Sequence, residues 1–129
     1  MIKKRKTRKS RYKTGIHQSS KMGKGIKYRS GYELKAYEYL DKDDSVSMYF
    51  AEPFKIPYNY SKRTIKNYIP DLLIVYLDGK IKLVEIKPQY KTGTKTNKAK
   101  FASAEQYCAK NNLIFEVWTE NTLKELIRE

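Results

Sequence analysis

The sequence has few of the residues on which many enzymes and small secreted proteins depend. Its 129 residues include one cysteine, Cys108, and one histidine, His17. A lone cysteine excludes an internal disulfide and any zinc site built from several cysteines, and we expect Cys108 to be a core residue. A catalytic triad based on a buried histidine is not favoured, because His17 lies in a strongly basic N-terminal segment.

Long hydrophobic runs are also missing. No apolar stretch approaches the roughly 18 residues that indicate a membrane span, and no apolar segment of a secretory signal follows the charged N-terminus. A chain of this length suits one domain with one core. We therefore expect a single domain in a cytosolic or virion setting, with no membrane partner.

Acidic residues are absent from residues 1–29, which hold twelve lysines and arginines. The rest of the chain holds sixteen basic and all fourteen acidic residues, so most of the net charge of +14 lies in the N-terminal segment. Such an asymmetry indicates a polyanionic partner, usually nucleic acid; a solubilising tail or a nuclear-localisation-like run is the alternative. We predict a basic flexible arm over 1–27 and a folded domain over 28–129.

Three groups of basic residues are predicted to contact nucleic-acid phosphates. They belong to the arm, to its junction with the domain, and to the start of the second predicted helix, where a solvated helix face is the alternative. They are Lys3, Lys4, Arg5, Lys6, Arg8, Lys9, Arg11, Lys13, Arg29, Lys98 and Lys100.

The pattern of apolar residues predicts a sheet flanked by helices. Ser30 begins the first helix, with Glu33 three residues later as a capping-box partner. The order of elements is typical of an α/β or α+β sheet with helices against it. The predicted helices cover 31–40, 97–110 and 120–129; the predicted strands cover 46–49, 52–58, 68–76, 81–87 and 113–119, with a polar turn over 59–66.

One hairpin carries the residues of greatest chemical interest. Asp71 lies within an otherwise apolar run, and Glu85 and Lys87 lie two residues apart on the next strand, so that they share a face. Asp78-Gly79 is a strong signal for a two-residue turn between the strands. Counted outward from such a turn, Asp71 falls opposite residue 86, on the wrong face for Glu85, so a bulge or crossover is needed.

Carboxylates beside a lysine suit the hydrolysis of phosphodiesters. Carboxylate oxygens bind hard cations such as Mg²⁺ or Mn²⁺, which acidify a water and stabilise the leaving oxygen, and a lysine can neutralise charge in the transition state. We therefore predict Asp71, Glu85 and Lys87 as a site. The alternatives are a turn at Asp71, a solvated Glu85–Lys87 ion pair, and only a capping role for Glu33.

Several segments together resemble the PD-(D/E)xK nuclease superfamily. The similarity spans about residues 28–123 and is greatest to head completion nucleases of tailed phages and to the nuclease subunit of Tn7-type transposons. The segments are Tyr28-Arg29-Ser30-Gly31-Tyr32-Glu33, Glu52-Pro53-Phe54-Lys55-Ile56-Pro57-Tyr58, Tyr68-Ile69-Pro70-Asp71, Leu83-Val84-Glu85-Ile86-Lys87-Pro88 and Phe115-Glu116-Val117-Trp118-Thr119-Glu120.

The resemblance implies an α/β fold with a restriction-endonuclease-like core, a central mixed β-sheet flanked by helices in αβββαβ order. It implies Mg²⁺- or Mn²⁺-dependent cleavage of DNA by a nuclease domain over 28–129. Asp71, Glu85 and the backbone carbonyl of Ile86 would bind metal, Glu33 would be the helix carboxylate of the site and a further metal ligand, and Lys87 would be the catalytic lysine. It also implies that the motif strands bend at Pro-Asp, which removes the facing problem.

The phage group is favoured, because 129 residues leave little room for the second, partner-binding domain of the transposon subunit. The expected setting is the cytoplasm of a bacterial host cell or the virion, with phage head or portal proteins and a second copy of the chain as partners. The alternatives are a catalytically idle DNA-binding virion protein, a transposon-end nuclease subunit and a Holliday junction resolvase. RNA stays open as a substrate.

Overall fold

The computed structural model describes residues 14–128, and within them the chain forms eight strands and three helices. A single 3-10 turn, Gln89–Lys91, precedes the second helix. No helix in this part of the chain is long and apolar enough to cross a membrane. In chain order the elements are β1 (Gly15–Ser19), β2 (Lys24–Tyr28), α1 (Gly31–Lys42), β3 (Val46–Ala51), β4 (Ile56–Ser61), β5 (Thr64–Tyr68), β6 (Leu72–Tyr76), β7 (Ile81–Ile86), α2 (Lys95–Lys110), β8 (Ile114–Trp118) and α3 (Glu120–Arg128).

The central sheet has the strand order β3-β6-β7-β8. The first two pairings are antiparallel and β7–β8 is parallel, so the chain must cross over between β7 and β8, which it does through α2. The mixed sheet flanked by helices, and the order α1-β3-β6-β7-α2-β8, confirm the predicted α/β class and its αβββαβ order. The structure agrees with a restriction-endonuclease-like fold.

Two core clusters cover the two faces of the sheet. One joins α1 and α3, through residues such as Leu40 and Leu123, to Val84 of β7. The other joins α2, through Cys108, to Leu83 and the β4–β5 strands, and places the only cysteine in the core as predicted. Since side chains alternate along a strand, the residue that follows Val84 faces the α2 side, like Leu83.

The turn between β6 and β7 is longer by one residue than the sequence predicted. The N–H of Tyr76 donates to the carbonyl of Lys80, and the N–H of Gly79 donates to the carbonyl of Tyr76. The loop therefore has three residues, 77–79, and Gly79 takes the left-handed conformation with φ of +91°, as in hairpins that close with a bulge. The two-residue turn was wrong because Asp-Gly fits both loop lengths.

This turn determines which residues of β6 and β7 face each other. Leu72 pairs with Val84, so continuing the ladder by one residue brings Asp71 opposite Glu85 and not opposite Ile86. A shift of one residue moves a side chain to the other face of a sheet. The predicted conflict between Asp71 and Glu85 therefore disappears, because the bulge lies in the turn.

The antiparallel β1–β2 hairpin corrects the predicted boundary of the arm. Residues 15–27 were assigned to it, yet Ile26 is buried in the main core. Asp41 of α1 holds the hairpin through His17, whose Nε2 lies 2.7 Å from its carboxylate, and Ser19, whose hydroxyl donates at 2.7 Å. The prediction was wrong there because these anchors are polar and distant in sequence. Residues 1–13 lie outside the described residues.

The β4–β5 hairpin replaces the turn predicted over 59–66. Residues 59–67 are exposed on both faces, so they lack the alternation of apolar residues by which a strand is recognised. The strand predicted over 68–76 is also interrupted. Tyr68 ends β5 and Leu72 begins β6, and between them Pro70 has no N–H for a sheet ladder.

Candidate active site

Asp71 lies where the chain leaves the β4–β5 hairpin and enters the central sheet. Its carbonyl accepts a hydrogen bond from the N–H of Glu52 at 2.9 Å, which continues the pairing of β3 with β6. Its side-chain Oδ2 accepts from the N–H of Ile86 at 2.7 Å. These two contacts hold the carboxylate at the end of β7 that carries Glu85 and Lys87.

Glu85 is a buried carboxylate on β7. Its side chain is 5% exposed, and its Oε2 lies 3.4 Å from Nζ of Lys87. Its Oε1 is buried and accepts no hydrogen bond from the described residues. A buried oxygen with no donor is costly, and a bound ion is one of the partners that such an atom can have.

Burial raises the pKa of both carboxyls, and the charge of Glu85 adds to the shift of Asp71. For Asp71, burial is the largest cause and the charge of Glu85 is the second, and the pKa rises to about 8. The hydrogen bond from the N–H of Ile86 and the charge of Lys87 lower the pKa and so oppose this shift. Burial also raises the pKa of Glu85, while Lys87 and Lys100 oppose the shift. The pair therefore retains a proton near neutral pH, in a place that a divalent cation can take.

Lys87 follows the last residue of β7, and the chain continues there toward solvent. Its N–H donates to the carbonyl of Trp118 at 2.9 Å, which fixes its backbone against β8. Its side chain is 23% exposed, with Nζ on Glu85. The structure thus brings Asp71, Glu85 and Lys87 together, as the sequence predicted. The carbonyl of Ile86 has no contact that assigns it a role, and its part as a metal ligand stays a prediction.

Glu33 lies in the first turn of α1 and acts in the helix cap. Its N–H donates to Oγ of Ser30 at 3.1 Å, and its Oε1 accepts from the N–H of Arg29 at 2.7 Å. In the predicted capping box the Glu33 carboxylate accepts from the N–H of Ser30, whereas here it accepts from the N–H of Arg29, one residue earlier. Its charge also contributes to the raised pKa of Asp71, so Glu33 is close to the site as well as part of the cap.

An open cleft of about 730 Å³ lies between the start of α1 and the end of β7. Its walls include four of the predicted site residues, Glu33, Asp71, Ile86 and Lys87. Glu85 is not part of the wall and reaches Lys87 from the interior. A phosphate group entering this cleft would meet the carboxylate of Asp71 and the ammonium group of Lys87, and further basic side chains, including Arg29, line the same cleft.

The donor set fits Mg²⁺ or Mn²⁺, which prefer oxygen ligands, better than a metal such as Zn²⁺ that is usually held by several histidines or cysteines. Within residues 14–128, no three His, Cys, Asp or Glu side chains meet closely enough to form a ligand cluster, so Glu33 does not join Asp71 and Glu85 in one. Mg²⁺ keeps several waters and is usually bound by one or two carboxylates together with substrate phosphate. Two carboxylates, one with an unpartnered oxygen, meet that requirement.

Tyr68 is a residue of the site that the sequence did not indicate. Its hydroxyl is buried and makes no hydrogen bond to the described residues. Burial is the main cause that raises its pKa, and the charges of Glu85 and Asp71 add to it, so the hydroxyl lies close to both carboxylates. The one signal available was its position three residues before Asp71.

Lys100 approaches the same carboxylates from α2. Its Nζ lies 5.6 Å from the ring centre of Tyr68 and 5.7 Å from that of Tyr58, and its charge lowers the pKa of Glu85. The sequence predicted a phosphate contact for Lys100. The structure places it beside the carboxylate pair, where it can also balance charge.

The other predicted phosphate contacts are divided between the cleft and the surface. Arg29 lines the cleft and pairs with Glu52, and Lys98 is exposed in the first turn of α2. The contacts predicted in the arm fall outside the described residues: Lys3, Lys4, Arg5, Lys6, Arg8, Lys9, Arg11 and Lys13.

Comparison with known families identifies the class of this site. The family model described as TnsA-like endonuclease N terminal matches residues 43–120, more than half of the chain. The chain belongs to the TnsA-like endonuclease family. No curated protein matches the sequence. The matched segment contains Asp71, Glu85 and Lys87, whereas Glu33 precedes it.

Membership of the TnsA-like endonuclease family makes the protein a nuclease of the restriction-endonuclease-like kind. The superfamily predicted from the sequence is therefore confirmed. Nucleases of this kind generally use divalent metals and act on DNA, which agrees with the carboxylate oxygens of Asp71 and Glu85 at the end of β7.

Proposed function

We propose that this TnsA-like endonuclease is a Mg²⁺- or Mn²⁺-dependent endodeoxyribonuclease with its active site at the end of β7. The observation that carries the proposal is the buried Asp71–Glu85 pair beside Lys87, in which Oε1 of Glu85 has no hydrogen-bond partner within residues 14–128. Retaining two adjacent buried carboxylates costs stability unless a cation binds them. A structural role explains neither the pair nor the position of Asp71 and Lys87 in the wall of a cleft.

Asp71 and Glu85 are the proposed metal ligands, together with the carbonyl of Ile86. Bound there, Mg²⁺ or Mn²⁺ would acidify a water and offset the charge that develops on the phosphate. The N–H of Ile86 orients Asp71, which leaves the second carboxylate oxygen free for the ion. Glu33, at the rim of the cleft, is proposed to support a second metal or the attacking water.

Lys87 is the proposed catalytic lysine. Its ammonium group lies between the buried Glu85 and the open cleft, where it can orient the attacking water and neutralise a phosphate oxygen. Lys100 adds positive charge on the α2 side of the pair. The Tyr68 hydroxyl, which has no hydrogen-bond partner in the described part of the chain, is proposed to hold a water or a phosphate oxygen next to the carboxylates.

DNA is the proposed substrate, and its phosphates are the proposed partners of the basic arm, Arg29 and Lys98. Affinity should then fall steeply with salt, because each neutralised phosphate releases counterions. One site cuts one strand. Cleavage of both strands of a duplex would therefore need a homodimer or two successive encounters.

We place this activity in phage head completion and DNA processing, in the cytoplasm of a bacterial host cell or in the virion, with head or portal proteins as partners. The resemblance of the segments around Glu33, Asp71 and Glu85 supports that setting. A transposon-end nuclease subunit is the second candidate, supported by the family match. Cutting only at transposon ends with a transposase would favour the second; cutting DNA ends or branched DNA alone, without a strong preference for four-way junctions, would favour the first.

The test is nicking of supercoiled plasmid with Mg²⁺, Mn²⁺ or EDTA. We expect metal-dependent nicking that Asp71→Asn and Lys87→Ala each reduce by more than about 100-fold, beyond the effect typical of groups that only support metal ligands. Asp78→Asn and Lys80→Ala, in the turn at the opposite end of β7, are matched controls that should retain full activity.

DNA binding is measured on the same variants, so that loss of cleavage is separated from loss of binding. Salt-sensitive binding without nicking in any metal would overturn the proposal in favour of a catalytically idle DNA-binding protein. Strong preference for four-way junctions over plasmid would identify a junction resolvase.

A further inference from the structure

The distal half of the β4–β5 hairpin stands clear of the rest of the domain. Its base is packed, because Ile56, Tyr58 and Tyr68 are buried in the cluster that includes Cys108 of α2. Residues 59–67 beyond that base are all exposed. Strands β4 and β5 pair only with each other among the described strands. The result is a two-stranded ribbon with a fixed base and a solvated end.

The ribbon is basic and contains no acidic residue. Between Pro53 and Pro70 the chain has four lysines and arginines, and neither aspartate nor glutamate. Three of the four are near the tip: Lys62, Arg63 and Lys66. Such a surface is complementary to a polyanion.

Charge on a strand edge has a simpler explanation, since lysines there prevent pairing with other chains. Two neighbours of these charges do not fit that role. Ile65 is 69% exposed and Tyr60 is 48% exposed, and both add apolar surface to an open edge. Lys66 lies over the Tyr60 ring with Nζ 3.7 Å from the ring centre. Mixed aromatic, aliphatic and cationic groups are suited to contact with bases as well as phosphates.

The dimensions of the ribbon match the major groove of duplex DNA. From Asn59, the first exposed residue, to Lys62 in the turn, the chain rises about 10 Å, at ~3.3 Å per residue. The groove is about 12 Å wide and about 8.5 Å deep, and it admits a two-stranded ribbon. The exposed part is therefore long enough to reach the groove floor while its base remains at the backbone.

The ribbon is also rooted at the candidate active site. β5 ends at Tyr68, three residues before Asp71, and the Tyr68 hydroxyl lies close to the carboxylate pair. The base of the ribbon is therefore next to the carboxylate pair, so a duplex bound at the cleft would be near the ribbon.

We propose that the β4–β5 hairpin is a DNA-binding ribbon that enters the major groove next to the cleaved phosphate. Lys62, Arg63 and Lys66 contact the phosphates and the base edges that line this groove, and Ile65 and Tyr60 contact the bases. The inference rests on the proposed function as a DNA nuclease, and it assigns duplex DNA to a surface outside the catalytic cleft.

The first experiment measures binding of the full chain to a labelled short duplex in EDTA, where no cleavage occurs. The test variant combines Lys62→Ala, Arg63→Ala and Lys66→Ala, all exposed. The matched control combines Lys80→Ala, Lys110→Ala and Lys124→Ala, three exposed lysines elsewhere on the domain. Both variants lose the same charge, and unchanged thermal unfolding shows that both remain folded.

We expect the hairpin variant to bind the duplex at least about 10-fold more weakly. The slope of log K against log salt concentration should become shallower by about 2 to 3, because each lost phosphate contact changes it by ~0.9. The control should differ little from wild type in both quantities. Equal losses in the two variants would overturn the inference, because only overall charge would then matter. An equal effect of the hairpin variant on single-stranded DNA would overturn the groove assignment.

The second experiment uses a duplex with bulky substituents on the C5 position of its pyrimidines, which project into the major groove. Wild type should bind this duplex more weakly than the plain one, and the hairpin variant should bind both equally. Equal weakening of the two proteins would contradict entry of the ribbon into that groove. If wild type nicks plasmid but the hairpin variant binds DNA like wild type, the inference fails and the nuclease proposal stands. If binding depends on the hairpin but no plasmid is nicked, the hairpin is a DNA-binding ribbon and the nuclease proposal fails.

Discussion

The carboxylate of Asp71 accepts a hydrogen bond from the N–H of Ile86 at 2.7 Å, one residue along β7 from Glu85. Two consecutive residues of one strand therefore act on Asp71 in opposite directions. The N–H of Ile86 stabilises the ionised form, and the charge of Glu85 opposes it. The domain keeps an unfavourable electrostatic arrangement in the metal-free state, which is common where function conflicts with stability.

This arrangement predicts a stability that falls as pH rises. The raised pKa of Asp71, about 8 against an ordinary value near 3.8, means that the folded state holds a proton that the unfolded state has released over this range. The contribution of protonated Asp71 to the free energy of unfolding is therefore fully present below the ordinary pKa, and it is lost as the pH rises toward 8. In EDTA, urea unfolding should give a free energy at least about 1 kcal/mol lower at pH 8.5 than at pH 5.5, since one pKa unit is worth ~1.36 kcal/mol.

The matched variant is Asp71→Asn, which keeps an oxygen for the N–H of Ile86 but removes the charge. Its stability should change less over the same pH range, and Mn²⁺ should stabilise wild type at pH 8.5 but not the variant. Asp41 and Asp43 have lowered pKa values and affect stability only at more acidic pH, so the scan begins above their range. Parallel pH curves for the two proteins would contradict the assignment to Asp71.

Glu33 has an observed role in the helix cap and a proposed role in the active site, and substitutions can separate the two. Glu33→Gln keeps an acceptor for the N–H of Arg29 but removes the negative charge near Asp71. We expect it to change the free energy of unfolding by less than about 0.5 kcal/mol, as for a surface substitution, and to reduce nicking at least about 10-fold. Ser30→Ala, which removes the cap alone, should cost about 1 kcal/mol and leave nicking nearly intact at temperatures where it is folded.

A purely capping Glu33 gives a different result. Glu33→Gln would then nick plasmid like wild type, and Glu33→Ala would resemble Ser30→Ala. Circular dichroism melting curves beside the nicking assay distinguish the two cases.

Tyr68 provides a test of the pocket behind the carboxylates. Because its buried hydroxyl has no hydrogen-bond partner among the described residues, Tyr68→Phe should leave the domain as stable as wild type or more stable, by up to about 1–3 kcal/mol. If the hydroxyl holds water or phosphate, nicking should fall about 10-fold, which corresponds to ~1.4 kcal/mol in the barrier. Tyr76→Phe, at the other end of β6, is the matched control. A variant that is more stable and fully active would show that the hydroxyl has no part in catalysis.

The site could be predicted from the sequence because its parts are local. Glu85 and Lys87 share a face at a spacing of two, and Asp71 is a charge in an apolar run next to a turn signal. What the sequence could not provide was the register, since Asp78-Gly79 suits loops of two or three residues and one residue decides which face Asp71 takes. The contributions of Tyr68 and Lys100 depend on packing between β5 and α2, which no local pattern encodes.

The two small hairpins were missed for a related reason. A strand exposed on both faces, as in residues 59–67, gives no alternation of apolar residues. The β1–β2 hairpin buries Ile26 but is otherwise held by His17 and Ser19 on Asp41, and basic residues with glycines obscured it. The central sheet was predicted well because its strands are apolar and its helices have caps.

The three-residue loop of the β6–β7 turn makes the last prediction. Gly79 has φ of +91° and a Cβ there would meet no atom within 4 Å, so Gly79→Ala is opposed by backbone strain alone. We expect it to lower the free energy of unfolding by about 1–2 kcal/mol. Gly93→Ala is the matched control, because a Cβ there also meets nothing and its φ is not left-handed; it should be neutral or stabilising. If Gly79→Ala also reduced nicking in folded protein, the turn would be setting the alignment of Asp71 with Glu85, whereas full activity with lower stability would show that the alignment survives strain in the loop.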